Sequence, residues 1–97
     1  MQFILIAHDK AGAASLRAAN RPAHLAYLEQ ELGPKLLFGG PLQDPDGNSN
    51  GSVLVVEAAD EAEARRYFDA DPFILAELFA DVTITRFRHV ISNGVRV

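Results

Sequence analysis

Gln2-Phe3-Ile4-Leu5-Ile6-Ala7-His8 decides how this chain folds. In an extended strand Phe3, Leu5 and Ala7 face one way and Ile4 and Ile6 the other, so both faces are apolar. Such a strand has to be covered on both sides. Ser52 to Glu57 (Ser-Val-Leu-Val-Val-Glu) repeats the pattern and supplies a second strand of the same kind. The elements between and beyond these two settle how they are covered.

After a loop at Asp9 to Gly12, Ala13 to Ala19 reads as a short lead-in helix with Ser15 as its cap. The main helix follows. Asn20 suits its N-terminus, Pro22 its first turn, and Gly33-Pro34 its end. Leu25, Leu28 and Leu32 recur at helical spacing and share one face. His24 borders that stripe, where a half-buried imidazole can meet a cavity. Lys35 to Phe38 is a short apolar strand closed by Gly39-Gly40-Pro41, where the backbone can approach a ligand or another strand. Asp44 to Gly51 is built of turn formers. It lacks the glycine and the glutamate of a calcium loop in their required places.

Beyond the second strand, Asp60 and Glu63 form a capping box that opens a helix running to about Ala70, with Ala64, Tyr67 and Phe68 inward. Asp71 then caps a short helix with Pro72 in its first turn. Asp81 to Val90 is the last strand, and Ile91 to Val97 is an extension without an assigned role. The order is strand, helix, strand, strand, helix, strand. That is a ferredoxin-like βαββαβ arrangement, α+β, with a four-stranded antiparallel sheet and both helices on one face. Two helices leave the other face bare. Soluble monomers avoid large bare apolar patches, so a face-to-face homodimer is expected.

Composition narrows the function. At 97 residues, positions 1–97 should form one domain. Nine basic and 13 acidic residues give a net charge of −4 with no basic patch, which argues against nucleic acid as a partner. The chain has no cysteine, so disulfides, zinc thiolates and cysteine catalysis are excluded. No apolar run is long enough to span a membrane, and Met1-Gln2-Phe3 carries no basic leader, so a cytoplasmic protein is expected. His8, His24 and His89 are far apart in sequence, and no phosphate loop or nucleophile motif occurs. Neither a metal site nor a cofactor is expected.

An ordered set of residues carries a resemblance. Arg17, Arg21 and His24-Leu25, then Gly40-Pro41, Gly51-Ser52 and Asp69-Ala70-Asp71-Pro72-Phe73 resemble the YCII-related (YciI-like) family, over nearly the whole chain. The loop after Pro41 is shorter than the family's pattern. The resemblance implies a dimeric ferredoxin-like α/β barrel with a small-molecule pocket in each subunit. It also implies a histidine–aspartate centre at His24 and Asp71, with Arg17, Arg21, Pro41 and Ser52 as substrate-binding positions.

Chemically, a carboxylate on one imidazole nitrogen fixes the tautomer and steadies the imidazolium that forms. Such a pair moves protons, while an arginine holds an anionic substrate or a developing enolate. Two functions stay open on sequence grounds. One is a cofactor-free acid–base enzyme performing elimination, isomerisation or lactone-type chemistry on a small anionic or ring-derived metabolite. The other is a non-catalytic small-ligand binding or accessory protein on the same scaffold. Asp71 is equally readable as a helix cap alone.

Overall fold

Strand β1, Gln2–Asp9, is the centre of the structure, a computed structural model that describes residues 1–31 and 33–97. It pairs antiparallel with β3 (Ser49–Glu57) on one side and β4 (Phe79–Phe87) on the other. Strand β2 (Lys35–Gln43) adds to the outer edge of β3, giving the order β2-β3-β1-β4. Helices α1 (Ala14–Leu28), α2 (Glu61–Asp69) and the single turn α3 (Pro72–Leu75) complete a ferredoxin-like α+β fold. The alternation in β1 does what its side chains require. Phe3, Leu5 and Ala7 are buried in one core with Leu54 and Val56, under Ala64, Tyr67 and Phe68 of α2. On the opposite face Ile4 pairs with Val55 and Ile6 with Val53. Val55 is fully buried there, whereas Ile4, Ile6 and Val53 are only half-buried and Phe38 is 43% exposed.

The capping chemistry around α2 and α3 matches the sequence. Asp60 accepts from the Glu63 amide at 2.8 Å, and Glu63 reaches back to the Ala59 amide. Asp71 accepts from the Phe73 amide at 2.9 Å and so starts α3. The C-terminus of α3 is closed by a Schellman pair: the Leu78 amide donates to the Phe73 carbonyl and the Glu77 amide to that of Ile74. Glu77 takes the left-handed position at φ 55°. That turn buries Leu78 and launches β4.

Several boundaries differ from the sequence reading. The lead-in and main helices are one continuous α1, with Asn20 and Pro22 inside it and Ala13, not Ser15 or Asn20, at its N-cap. The Asn20 side chain instead donates to the Leu16 carbonyl at 2.9 Å. α1 stops at Leu28, short of Gly33-Pro34, and Leu32 lies outside the described residues. Its inward face is only partly the leucine stripe: Leu28 packs against the core. Arg17 and His24 are buried while Leu25 is 36% exposed. Each of the two polar side chains has a carboxylate partner inside, and those contacts set the rotation of the helix. β2 runs on through Gly39-Gly40-Pro41 because Gly39 lies against β3: a Cβ there would sit 2.6 Å from Leu54 and 2.7 Å from the Val53 carbonyl. β4 begins two residues before Asp81 and ends before Val90. The tail forms a hairpin, β5 (Ile91–Ser92) and β6 (Val95–Arg96), whose Asn93-Gly94 turn has positive φ at both residues, as a type I′ turn demands.

Candidate active site

His24 reaches the interior from the middle of α1, on the same helical face as Arg17 and Arg21. Its Nδ1 lies 2.7 Å from Asp71 Oδ1 and 3.0 Å from Oδ2. Both side chains are almost fully buried, at 9% and 4% exposure. An ionised carboxylate only accepts, so Nδ1 carries the proton and Nε2 is left as the second, variable site. Asp71 is held in turn, because Oδ1 also takes the Phe73 amide. The Phe73 ring then stacks on the imidazole at 3.8 Å and 11°. One aspartate therefore caps α3, orients His24 and sets the ring that lies on it.

A cavity of about 100 Å³ opens beside His24. Arg17, Arg21, His24, Leu25 and Leu28 of α1 form one wall. Leu36 and Gly39-Gly40-Pro41 of β2, with Ser52 and Leu54 of β3, form the other, and Phe73 contributes from α3. The walls are mainly aliphatic, with a few convergent polar groups, the usual make-up of a small-molecule site. The structure thus brings together Arg17, Arg21, His24, Pro41 and Ser52 around one space, with Asp71 behind the imidazole. His8 and His89 lie elsewhere: His8 pairs with Asp81 at 2.7 Å on the surface, and His89 with the Ile91 carbonyl.

The two arginines differ. Arg21 is exposed, and among the described residues no carboxylate pairs with it. Arg17 is buried and occupied. Its Nε and Nη2 clasp both oxygens of Asp9 at 2.7 and 2.9 Å, and Nη2 also donates to the Gly51 carbonyl and to Ser52 Oγ. Sequence reading placed Asp9 in a loop. It is the last residue of β1, just past a register shift at His8/Asp9, the kind of irregularity that re-aims a side chain. Phe73 likewise received no role from the sequence. The signal that would have found this face is the recurrence of Arg17, Arg21, His24 and Leu28 at i, i+4, i+7 and i+11.

Beneath the pair lie two tyrosines. Tyr27 donates to the Tyr67 carbonyl at 2.8 Å, and the Tyr67 hydroxyl is buried without a partner among the described residues. Burial, then the neighbouring Tyr27 and the charge of Asp71, push the Tyr67 hydroxyl up to about 12. Burial and Asp71 raise Tyr27 as well.

The fold and site together define an α+β protein of ferredoxin-like class with a buried histidine–aspartate pair beside a small apolar cavity. Comparison with known proteins narrows the class. The YCII-related domain matches residues 1–88, and the chain belongs to that family. Protein YciI of Escherichia coli O6:H1 is 33% identical, over 93% of this chain and 99% of its own. An uncharacterized protein of Haemophilus influenzae is 28% identical over the same shares. Among solved structures, the 5-chloro-2-hydroxyhydroquinone dehydrochlorinase TftG of Burkholderia phenoliruptrix AC1100, in complex with 2,5-dihydroxybenzoquinone, superposes with a TM-score of 0.81. It is 35% identical, over 92% of this chain and 95% of its own. The cofactor-independent oxygenase SnoaB of Streptomyces nogalater, 18% identical with a TM-score of 0.51 over 91% and 92% of the two chains, shares the fold.

Proposed function

We propose that the protein is a small cofactor-free enzyme that uses His24 as a general base on an anionic, ring-derived metabolite, in an elimination, isomerisation or lactone-type reaction. The observation that carries this reading is the 2.7 Å contact between Asp71 and His24 Nδ1 beside the cavity. With Nδ1–H committed to the carboxylate, Nε2 is the atom that takes a proton from substrate carbon or oxygen. Asp71 stabilises the imidazolium that results. Negative charge then develops on a substrate oxygen, and Arg21, paired with no carboxylate among the described residues, is the cation that meets it. In an elimination the leaving group departs with its bonding electron pair, and the proton on Nε2 passes to water afterwards.

The resemblance to TftG supports a hydroxylated ring as the substrate class. Pro41, Ser52 and the leucines supply the wall against which a flat ring lies. The reading extends to the whole chain, residues 1–97, as one domain working in the cytoplasm as a homodimer. A second copy covers Ile4, Ile6, Val53 and Phe38 on the helix-free face.

The test is chloride release from chlorinated hydroxyhydroquinones, beside calorimetric binding of 2,5-dihydroxybenzoquinone. The wild-type protein is expected to do both. His24→Gln should keep ring binding and lose turnover by ~10²–10⁴-fold. Equal binding by both proteins with turnover by neither favours the alternative, a non-catalytic ligand-binding protein.

A further inference from the structure

An imidazole held by one hydrogen bond is not fully positioned. The torsion about the Cβ–Cγ bond of histidine is intrinsically broad, and the contact to Asp71 restrains it through the single donor Nδ1–H. Nε2, the atom assigned the chemistry above, swings with that torsion. Displacing a reacting atom by ~1 Å can cost about a hundredfold in rate. A contact on the face of the ring restrains its plane more tightly.

Phe73 does so by stacking on the imidazole at 3.8 Å. Phe73 is in turn loaded by Arg17, whose guanidinium carbon lies 4.7 Å from the centre of the phenyl ring. Arg17 and His24 are seven residues apart on α1, about 10 Å of helix. The phenyl ring spans that gap. Arg17 cannot move away, because four hydrogen bonds tie it to Asp9, the Gly51 carbonyl and Ser52. Its charge is also matched at close range by Asp9, with both side chains under 10% exposed at 8% and 6%. A buried, paired guanidinium offers an incoming anion little; a planar, rigid one braces an aromatic ring well.

We propose that Arg17 is a positioning residue, which acts through Phe73 to hold the plane of the His24 imidazole, and that the substrate's charge is left to Arg21. The two arginines at one helical spacing thus have separate tasks. The proposal rests on His24 as the base, but its test reads the imidazole itself and needs no substrate.

The test is NMR of ¹⁵N-histidine-labelled protein, following solvent exchange of the His24 Nδ1 proton. Arg17→Lys keeps the charge but loses the planar fork. Phe73→Leu keeps an apolar side chain but loses the stack. Asp9→Asn loosens the arginine without leaving a void. In each folded variant the His24 proton should exchange at least about tenfold faster than in the wild type, by local opening of the ring. A role confined to fold stability would lower the melting temperature and leave that exchange alone. Exchange within twofold of the wild type in any variant that folds overturns the proposal. If Arg17→Lys does not fold, Phe73→Leu and Asp9→Asn decide it. Where turnover can be followed, Arg17→Lys should lower kcat with KM nearly unchanged, and Arg21→Gln should raise KM. The opposite split overturns the division of tasks.

Discussion

Asp71 serves two groups through one oxygen, and two substitutions separate them. Oδ1 accepts from the Phe73 amide at 2.9 Å and from His24 Nδ1 at 2.7 Å. Asp71→Ala removes a helix cap, which costs ~1 kcal/mol. It also strands a buried imidazole N–H, which costs ~1–3 kcal/mol. The sum, roughly 2–4 kcal/mol, should appear as a lower urea midpoint. Asp71→Asn keeps an acceptor at the Oδ1 position, so the cap survives. It places an amide N–H where Oδ2 stood, 3.0 Å from Nδ1. That N–H competes with the retained acceptor for Nδ1 and favours the other tautomer, and the negative charge that steadies the imidazolium is gone. Stability should fall by only about 1 kcal/mol, the difference between a charged and a neutral hydrogen bond. Turnover should fall by ~10²–10⁴-fold, because the imidazolium loses its carboxylate and the proton-bearing nitrogen is no longer fixed. Urea titration, ¹⁵N chemical shifts of the imidazole and kcat measure these effects separately. A folded Asp71→Asn variant with an unchanged His24 tautomer and full turnover would return Asp71 to a capping role alone.

Other expectations follow from single contacts. Tyr67 stays protonated in the fold up to about 12, against an ordinary value near 10 when unfolded. Its contribution is therefore complete below pH 10 and is lost as pH rises toward 12, by roughly 2–3 kcal/mol. Tyr67→Phe should flatten that alkaline slope in denaturant midpoints; an identical slope would contradict it. Gly39→Ala should cost about 1–3 kcal/mol, because its Cβ would fall 2.6 Å from Leu54 and 2.7 Å from a backbone oxygen. An unchanged urea midpoint would show that β2 has room to spare. Light scattering at micromolar concentration should give twice the chain mass of 10.5 kDa. A stable monomer would leave the half-buried Ile4, Ile6 and Val53 without a cover.

The fold was legible because its signals are local and redundant. Alternation in Gln2 to His8 and Ser52 to Glu57 marks strands, and Asp60 with Glu63 and Asp71 with Pro72 mark helix starts whatever surrounds them. The run of α1 was misread for the opposite reason. Asn20 and Pro22 are cap residues by propensity, but tertiary contacts carry the helix through them. The rotation of α1 was equally hidden. The leucine spacing marks only part of the inward face, where Leu28 packs on the core, and the carboxylates of Asp9 and Asp71, distant in sequence, add Arg17 and His24 to it. The site shows the same division. His24 and Asp71 came from the resemblance of the whole ordered set, and the fold brings them into contact. Asp9 and Phe73 were missed because a strand-end irregularity and a ring stack leave no spacing to read.

In the proposed reaction Nε2 of His24 faces a ring-derived substrate in the cavity lined by Arg21. The most direct measurement is a crystal structure of the protein with 2,5-dihydroxybenzoquinone bound. The expected result is a ring between Leu54 and Phe73, with an oxygen about 3 Å from His24 Nε2 and another on the Arg21 guanidinium. A ring bound elsewhere on the molecule, or a His24 Nε2 turned away from a ring in the cavity, would contradict it.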